Sequence, residues 1–118
     1  MSYRKDWEAQ QKALERMAIK PKIFKGDLGD ALDAWERANK KVEDDKGNDP
    51  KILKALKQDR TDKFTKAKGI ISTYSDYLDE LMKKSEAETT PMQRKVIKPA
   101  LEFLSVTLMV LRQPEIKT

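Results

Sequence analysis

Residues 100–111 read Ala-Leu-Glu-Phe-Leu-Ser-Val-Thr-Leu-Met-Val-Leu, and this stretch decides the fold. On a helical wheel the segment 99–112 is apolar on nearly every side, apart from a narrow wedge formed by Glu102, Ser105 and Arg112. A helix that is apolar all round is normally buried on all sides in a folded protein. The sequence therefore predicts a helix over 99–112 that the rest of the chain surrounds.

The β-branched residues within 103–111 leave a strand as the alternative for part of this stretch. A strand needs a neighbour to pair its backbone groups, and nothing else in the chain has the pattern of a partner strand. We therefore expect a helix. Because the apolar stretch is only 12 residues long and is interrupted by Glu102, we expect no insertion into a membrane.

Three amphipathic helices are predicted upstream. The stripe residues of the first two are spaced alternately four and three apart, and the apolar residues of the third keep to one stripe. The four predicted helices cover about 3–19, 28–45, 50–84 and 91–112. Three amphipathic helices around one apolar helix indicate an antiparallel four-helix bundle, in a single all-α domain over 1–118. A chain of 118 residues can bury such a core without covalent cross-links. It has no cysteine, so it cannot form a disulfide.

Local signals mark most of the helix ends. Lys20-Pro21 is predicted to end the first helix, because a residue that precedes proline disfavours helical geometry. Asp27 is the predicted N-cap of the second helix, and Asp49-Pro50 is predicted to begin the third. Thr90 and Gln93 form the pattern of a capping box, which predicts the start of the fourth helix between them.

Two prolines are predicted to interrupt or end the fourth helix. Pro99 lacks a backbone N–H and is expected to kink the helix or split it into 91–98 and 99–112. Gln113-Pro114 is expected to stop the helix, which leaves 113–118 as a tail.

The chain contains no histidine and no cysteine. It therefore lacks the usual general base at neutral pH, the thiol nucleophile and the commonest metal ligand. No acidic residue lies at the centre of an apolar stripe, so we expect no enzyme activity, no cofactor and no metal site. The prediction is a non-catalytic helical protein–protein interaction module, such as an adaptor, a secretion-linked accessory or chaperone, or an inhibitor-type partner.

The net charge of +5, with a pI of about 9.3, makes nucleic-acid binding the alternative function. The basic residues concerned lie on the third helix and on the 83–98 hairpin, and Arg60 falls inside the apolar stripe, where it could anchor a bound acidic group. The candidate partner- or anion-binding residues are Lys54, Lys57, Arg60, Lys83, Lys84, Arg94, Lys95 and Lys98.

The apolar fourth helix also suggests a homodimer. Tyr3, Trp7 and Trp35 lie on the predicted stripes, and with the helix over 99–112 they are candidates for a self-association surface. If only three neighbours within the chain are available to cover this helix, a second copy is expected to cover the remaining side. The protein partner itself cannot be named from the sequence. The first 20 residues are charged throughout and show no apolar leader segment, so the expected location is cytoplasmic, with export by a specialised system left open.

Overall fold

The computed structural model describes residues 2–20, 27–47 and 49–117. Four α-helices follow one another in these ranges: α1 (Tyr3–Arg16), α2 (Leu28–Asp44), α3 (Pro50–Lys83) and α4 (Pro91–Lys117). The described ranges contain no strand, and residues 103–111 are helical as predicted. The bounds of α2 and α3 agree with the sequence prediction to within one residue at each end.

The helices form the predicted antiparallel four-helix bundle, in which α1 and α3 each pack against both α2 and α4. The bundle is a rod of 60 × 22 × 22 Å, because α3 has 34 residues whereas α1 has only 14. None of the helices in the described part of the chain is long and apolar enough to cross a membrane.

Aromatic rings hold the centre of the bundle. The ring of Trp7, which is 1% exposed, lies edge-on to Tyr74 at a centroid distance of 4.8 Å and stacks on Phe103 at 6.0 Å. These three residues belong to α1, α3 and α4, so one tryptophan joins three helices. Burial of one large apolar side chain stabilises the fold by about 1.5–3 kcal/mol.

The first helix ends three residues earlier than predicted, at Arg16. The N–H of Ala18 donates to the carbonyl of Glu15, and the N–H of Ile19 donates to the carbonyl of Leu14, both at 3.0 Å. This is the Schellman pattern, in which one residue takes a left-handed conformation, and Ala18 has φ of 58°. Leu14 and Ile19 are both buried, and their burial stabilises this helix ending. The helix therefore ends before Lys20, and Pro21 lies outside the described residues.

The fourth helix is longer than predicted and is continuous from Pro91 to Lys117. The predicted split at Pro99 is therefore wrong, whereas a bend at Pro99 stays a prediction. The predicted stop at Gln113-Pro114 and the tail beyond it are also wrong as far as Lys117. Each proline removes one helical hydrogen bond, and the surrounding contacts outweigh this loss. In the last turn, Glu115 accepts a hydrogen bond of 2.7 Å from the hydroxyl of Thr61 on α3.

The prediction that the chain surrounds the apolar helix is wrong as well. Ile97, Leu104 and Leu111 are fully buried on the inner side of α4. On the outer side, Val106 is 52% exposed and Met109 is 60% exposed. The reason is geometric: among the described helices α4 contacts only α1 and α3, so its outer side faces solvent.

Candidate functional site

A groove opens where the bundle has three helices in place of four. The first helix begins at Tyr3, whose backbone N–H donates to the carboxylate of Glu36 on α2 at 2.8 Å. Beyond that level α2 continues to Asp44 and α4 continues to Lys117. The space between α2 and α4 is left as a groove of about 630 Å³.

Ion pairs fix the level at which α1 begins. The guanidinium of Arg4 lies 2.6 Å from Asp33 and 3.0 Å from Asp30, both on α2, and 3.0 Å from Glu8 on its own helix. Hydrogen bonds to Asp33 and Glu8 raise the pKa of Arg4 above its ordinary value. The start of α1, and with it the upper end of the groove, is set by these contacts.

The floor of the groove is apolar. It is formed by Trp35 from α2 and by Val110 and Pro114 from α4, with Tyr3 at its upper end. The ring of Tyr3 lies edge-on to that of Trp35 at a centroid distance of 6.4 Å. The α2 side of the groove is charged, and its charged lining residues are Glu36, Lys40, Glu43 and Asp44.

An exposed apolar strip on α4 continues from this floor. We call Val106, Met109 and Val110 the α4 strip; they are 52%, 60% and 37% exposed, and their spacing places them on one side of the helix. Contiguous exposed apolar surface with a polar rim is typical of protein interaction sites. The groove floor and the α4 strip share Val110, and together they make an apolar surface that the described residues leave uncovered.

The indole of Trp35 carries an unmatched hydrogen-bond donor. The side chain is only 4% exposed, and its buried Nε1 has no acceptor among the described residues. A buried donor left without an acceptor costs about 1–3 kcal/mol. This cost lies beneath the groove floor, since the indole Nε1 itself is closed to solvent.

Arg60 is buried next to the groove and does not face solvent. It is 6% exposed, and its Nη1 donates to the amide oxygen of Asn39 at 3.0 Å. The amide nitrogen of Asn39 in turn donates to Glu43 on the groove rim at 3.0 Å. Asn39 thus links the arginine to a carboxylate, and the predicted candidate Arg60 lies behind the groove surface.

Lys54 and Lys57 occupy a different place, at the start of α3. They line a shallow depression of about 360 Å³ together with Gln58 and Thr61. Lys54 is exposed, whereas Lys57 is half-buried. The structure therefore brings these two predicted candidates together, but it does not bring them to the groove between α2 and α4.

The hairpin candidates gather at the opposite end of α3, and one of them has a structural role. The guanidinium of Arg94 donates to the carbonyl oxygens of Thr89, Met82 and Lys84 at 3.1, 2.9 and 2.6 Å. It thereby caps the end of α3, whose last carbonyls attract a cation. Lys83 lies 3.8 Å from Glu80. The remaining hairpin candidates, which are exposed, are Lys84, Lys95 and Lys98.

Two tyrosines have shifted pKa values. Burial raises the pKa of Tyr74 to about 12. Burial and the nearby carboxylate of Glu36 raise the pKa of Tyr3 as well. Both shifts move the phenols further from neutral pH, so neither becomes a better base under ordinary conditions. Within 2–20, 27–47 and 49–117, no group of three or more acidic side chains is placed to share a metal ion.

No protein-family model, no curated protein and no solved structure matches this chain. The function is therefore inferred from the groove, the α4 strip and the basic surfaces alone.

The sequence points to part of this surface but not to the groove. Tyr3, Trp35 and the helix over 99–112 are candidates for a self-association surface, although the stripe pattern also predicts that Trp35 is buried and that the helix is surrounded. The available signal was helix length, since the predicted first helix is shorter than the fourth and cannot accompany it to the end.

Proposed function

We propose that the protein is a non-catalytic helical protein–protein interaction module that docks a partner on the groove and the α4 strip. The observation that carries this proposal is the apolar surface made by the groove floor and the α4 strip, which share Val110. Apolar grooves between two helices commonly bind a third helix.

The proposal is supported by the kind of residues that stay exposed. Met109 is a flexible, polarizable side chain of the type that recurs on adaptable binding surfaces. Trp35 at the floor belongs to the residue type most enriched among interface anchors. An adaptor, an accessory protein or an inhibitor-type partner would each use such a surface.

Site-specific photocrosslinking in the native cells tests this proposal. A photoreactive amino acid replaces Met109 in one variant and Met92 in the control, which is equally exposed at 58% and lies on the same helix. A partner adduct that forms from position 109 and not from position 92 would support the proposal. Equal adducts at both positions, or no adduct at position 109, would contradict it.

Light scattering separates the two forms that such a module can take. The chain has a mass of 13.6 kDa. A measured mass near that value leaves the surface free for an unlike partner, whereas twice that value makes a second copy the occupant. The α4 strip supports the homodimer that we expect from the sequence, because two copies can bury it against each other.

Nucleic-acid binding is the second candidate function, and the shared depression of Lys54 and Lys57 favours it. Binding that depends on phosphate contacts weakens steeply with salt. Lys54→Glu/Lys57→Glu and Arg94→Glu/Lys95→Glu are the test variants in a low-salt anisotropy assay with DNA and RNA. Unchanged binding in both variants would contradict this second candidate.

A further inference from the structure

We infer that the groove binds an amphipathic helix of two to three turns from an unlike partner, and that lysines or arginines line the edge of this helix that faces α2. This inference rests on the proposed function and adds the chemistry of the partner. It depends on the length of the groove and the charge of its rim.

The length of the groove fits a short helix. From Glu36 to Asp44 the α2 wall extends about 12 Å, at 1.5 Å per residue. The α4 wall is shorter, since its lining residues run from Val110 to Pro114 and cover about 6 Å. A helix seated between the two walls would continue the direction of α1, and it would complete the fourth corner of the bundle in the section that α1 does not reach.

The two walls differ in charge, and this difference orients the partner. The α2 wall carries Glu36, Glu43 and Asp44 against a single Lys40, a formal charge of −2. None of the ion pairs between described residues involves any of these four side chains. The α4 residues that line the groove are uncharged, namely Val110, Gln113 and Pro114. A bound helix is therefore expected to place cations toward α2 and its apolar stripe toward α4 and the floor.

A second copy of the chain fits the groove less well than an unlike helix. Over 99–112 the apolar part of α4 carries two charged residues, Glu102 and Arg112, whose charges cancel. An α4 helix from a second copy would therefore bring no net positive charge to the acidic rim. A helix with a basic edge complements this rim better. The charge of the rim therefore favours a partner of different sequence.

Two designed peptides test the inference directly. Both are stapled helices of about 14 residues, since shorter unconstrained helices are marginal in water. They share an apolar stripe and differ only at one edge, which carries lysines in one peptide and glutamates in the other. We expect the lysine peptide to bind about tenfold more tightly at low salt, as a few exposed ion pairs would give. Fluorescence anisotropy measures both affinities.

Protein variants link this preference to the rim. Glu43→Lys/Asp44→Lys is expected to reverse the preference, so that the glutamate peptide binds more tightly. Glu86→Lys/Glu88→Lys is the matched control, with two exposed acids in the turn between α3 and α4, and it is expected to keep the preference. The preference should also shrink between about 0.01 M and 1 M salt, where the Debye lengths are about 30 Å and 3 Å.

The failure of this inference can be told apart from failure of the proposed function. Equal binding of the two peptides, no binding of either, or an equal effect of both variants would overturn the basic-helix inference. A chain that is dimeric by light scattering through this same groove would overturn it too. In each of these cases a partner adduct from position 109, absent from position 92, would still support the interaction module.

Discussion

Replacing Ala18 by glycine is expected to stabilise the protein, although glycine usually weakens a helical protein. Ala18 is exposed and has φ of 58°, in the left-handed region. A side chain with a Cβ costs about 1–2 kcal/mol in this conformation, whereas glycine adopts it without this penalty. The greater freedom of glycine in the unfolded chain offsets about 0.4–1 kcal/mol of that gain. The net expectation is an increase of about 0.5–1 kcal/mol in the free energy of unfolding.

The matched control is Ala9→Gly, which makes the same chemical change at an exposed position inside α1. There the backbone is helical, and glycine should lower the free energy of unfolding by about 1 kcal/mol. The two substitutions are thus expected to have opposite signs, even though both remove one methyl group from an exposed alanine.

Urea denaturation followed by circular dichroism measures both changes. The denaturation midpoint should rise for Ala18→Gly and fall for Ala9→Gly, with an unchanged slope in both. If Ala18→Gly destabilises the protein as much as Ala9→Gly does, residue 18 is not left-handed. The first helix would then continue toward Lys20 as its sequence predicts, and the Schellman ending would be refuted.

Three further substitutions have defined expectations. Arg94→Ala should lower the free energy of unfolding by at least about 1.5–3 kcal/mol, because it removes charge-assisted hydrogen bonds to three carbonyls. A loss below about 0.5 kcal/mol in urea denaturation would contradict the capping role of Arg94. Arg60→Met should leave the free energy of unfolding unchanged or raise it, because among the described residues the buried guanidinium has one neutral acceptor and its Nε has none. A fall of more than about 2 kcal/mol would indicate that Arg60 has a stronger hydrogen-bond partner. Burial raises the pKa of Tyr74 from 10.0 to about 12. The contribution of this shift to the free energy of unfolding is therefore complete below pH 10 and is progressively lost toward pH 12. Tyr74→Phe should therefore show a smaller loss of stability between pH 10 and 12 than the wild type, and an equal loss would refute the shift.

The starts of the helices could be predicted because they depend on local chemistry. The side chain of Asp27 accepts from the N–H of Asp30 at 3.1 Å, as an N-cap does. Thr90 and Gln93 exchange hydrogen bonds of 3.0 and 3.2 Å, which is the predicted capping box. In each case the two partners are only three residues apart, so the sequence already contains both halves of the interaction.

The ends of α1 and α4 could not be predicted from local signals. A left-handed alanine is unfavourable by itself, and burial of Leu14 and Ile19 makes Ala18 adopt that conformation. The final turn of α4 likewise persists beyond Pro114 while Glu115 binds a threonine that lies 54 residues away in the chain. Both outcomes depend on contacts that exist only after the helices have packed.

The candidate site depended on relations between helices that the sequence does not encode locally. The stripe pattern correctly predicted that Trp35 is buried. It could not show that α1 begins at the level of Glu36 and does not extend along the rest of α2. That level follows from the ion pairs of Arg4 with α2. The basic residue spacing suggested Arg94 as a binding residue, whereas its three carbonyl partners belong to a turn that forms only on folding.

The central claim is that the groove and the α4 strip form the interaction surface of a folded chain. The most direct test places a photoreactive residue at position 109 and measures the yield of partner adduct. It compares the protein that keeps Val106 with the Val106→Glu variant. Our account predicts that the yield falls severalfold, while the free energy of unfolding changes by no more than about 0.5 kcal/mol, as is usual for a surface substitution. An unchanged yield, or a variant that loses its fold because Val106 belongs to the core, would contradict the account.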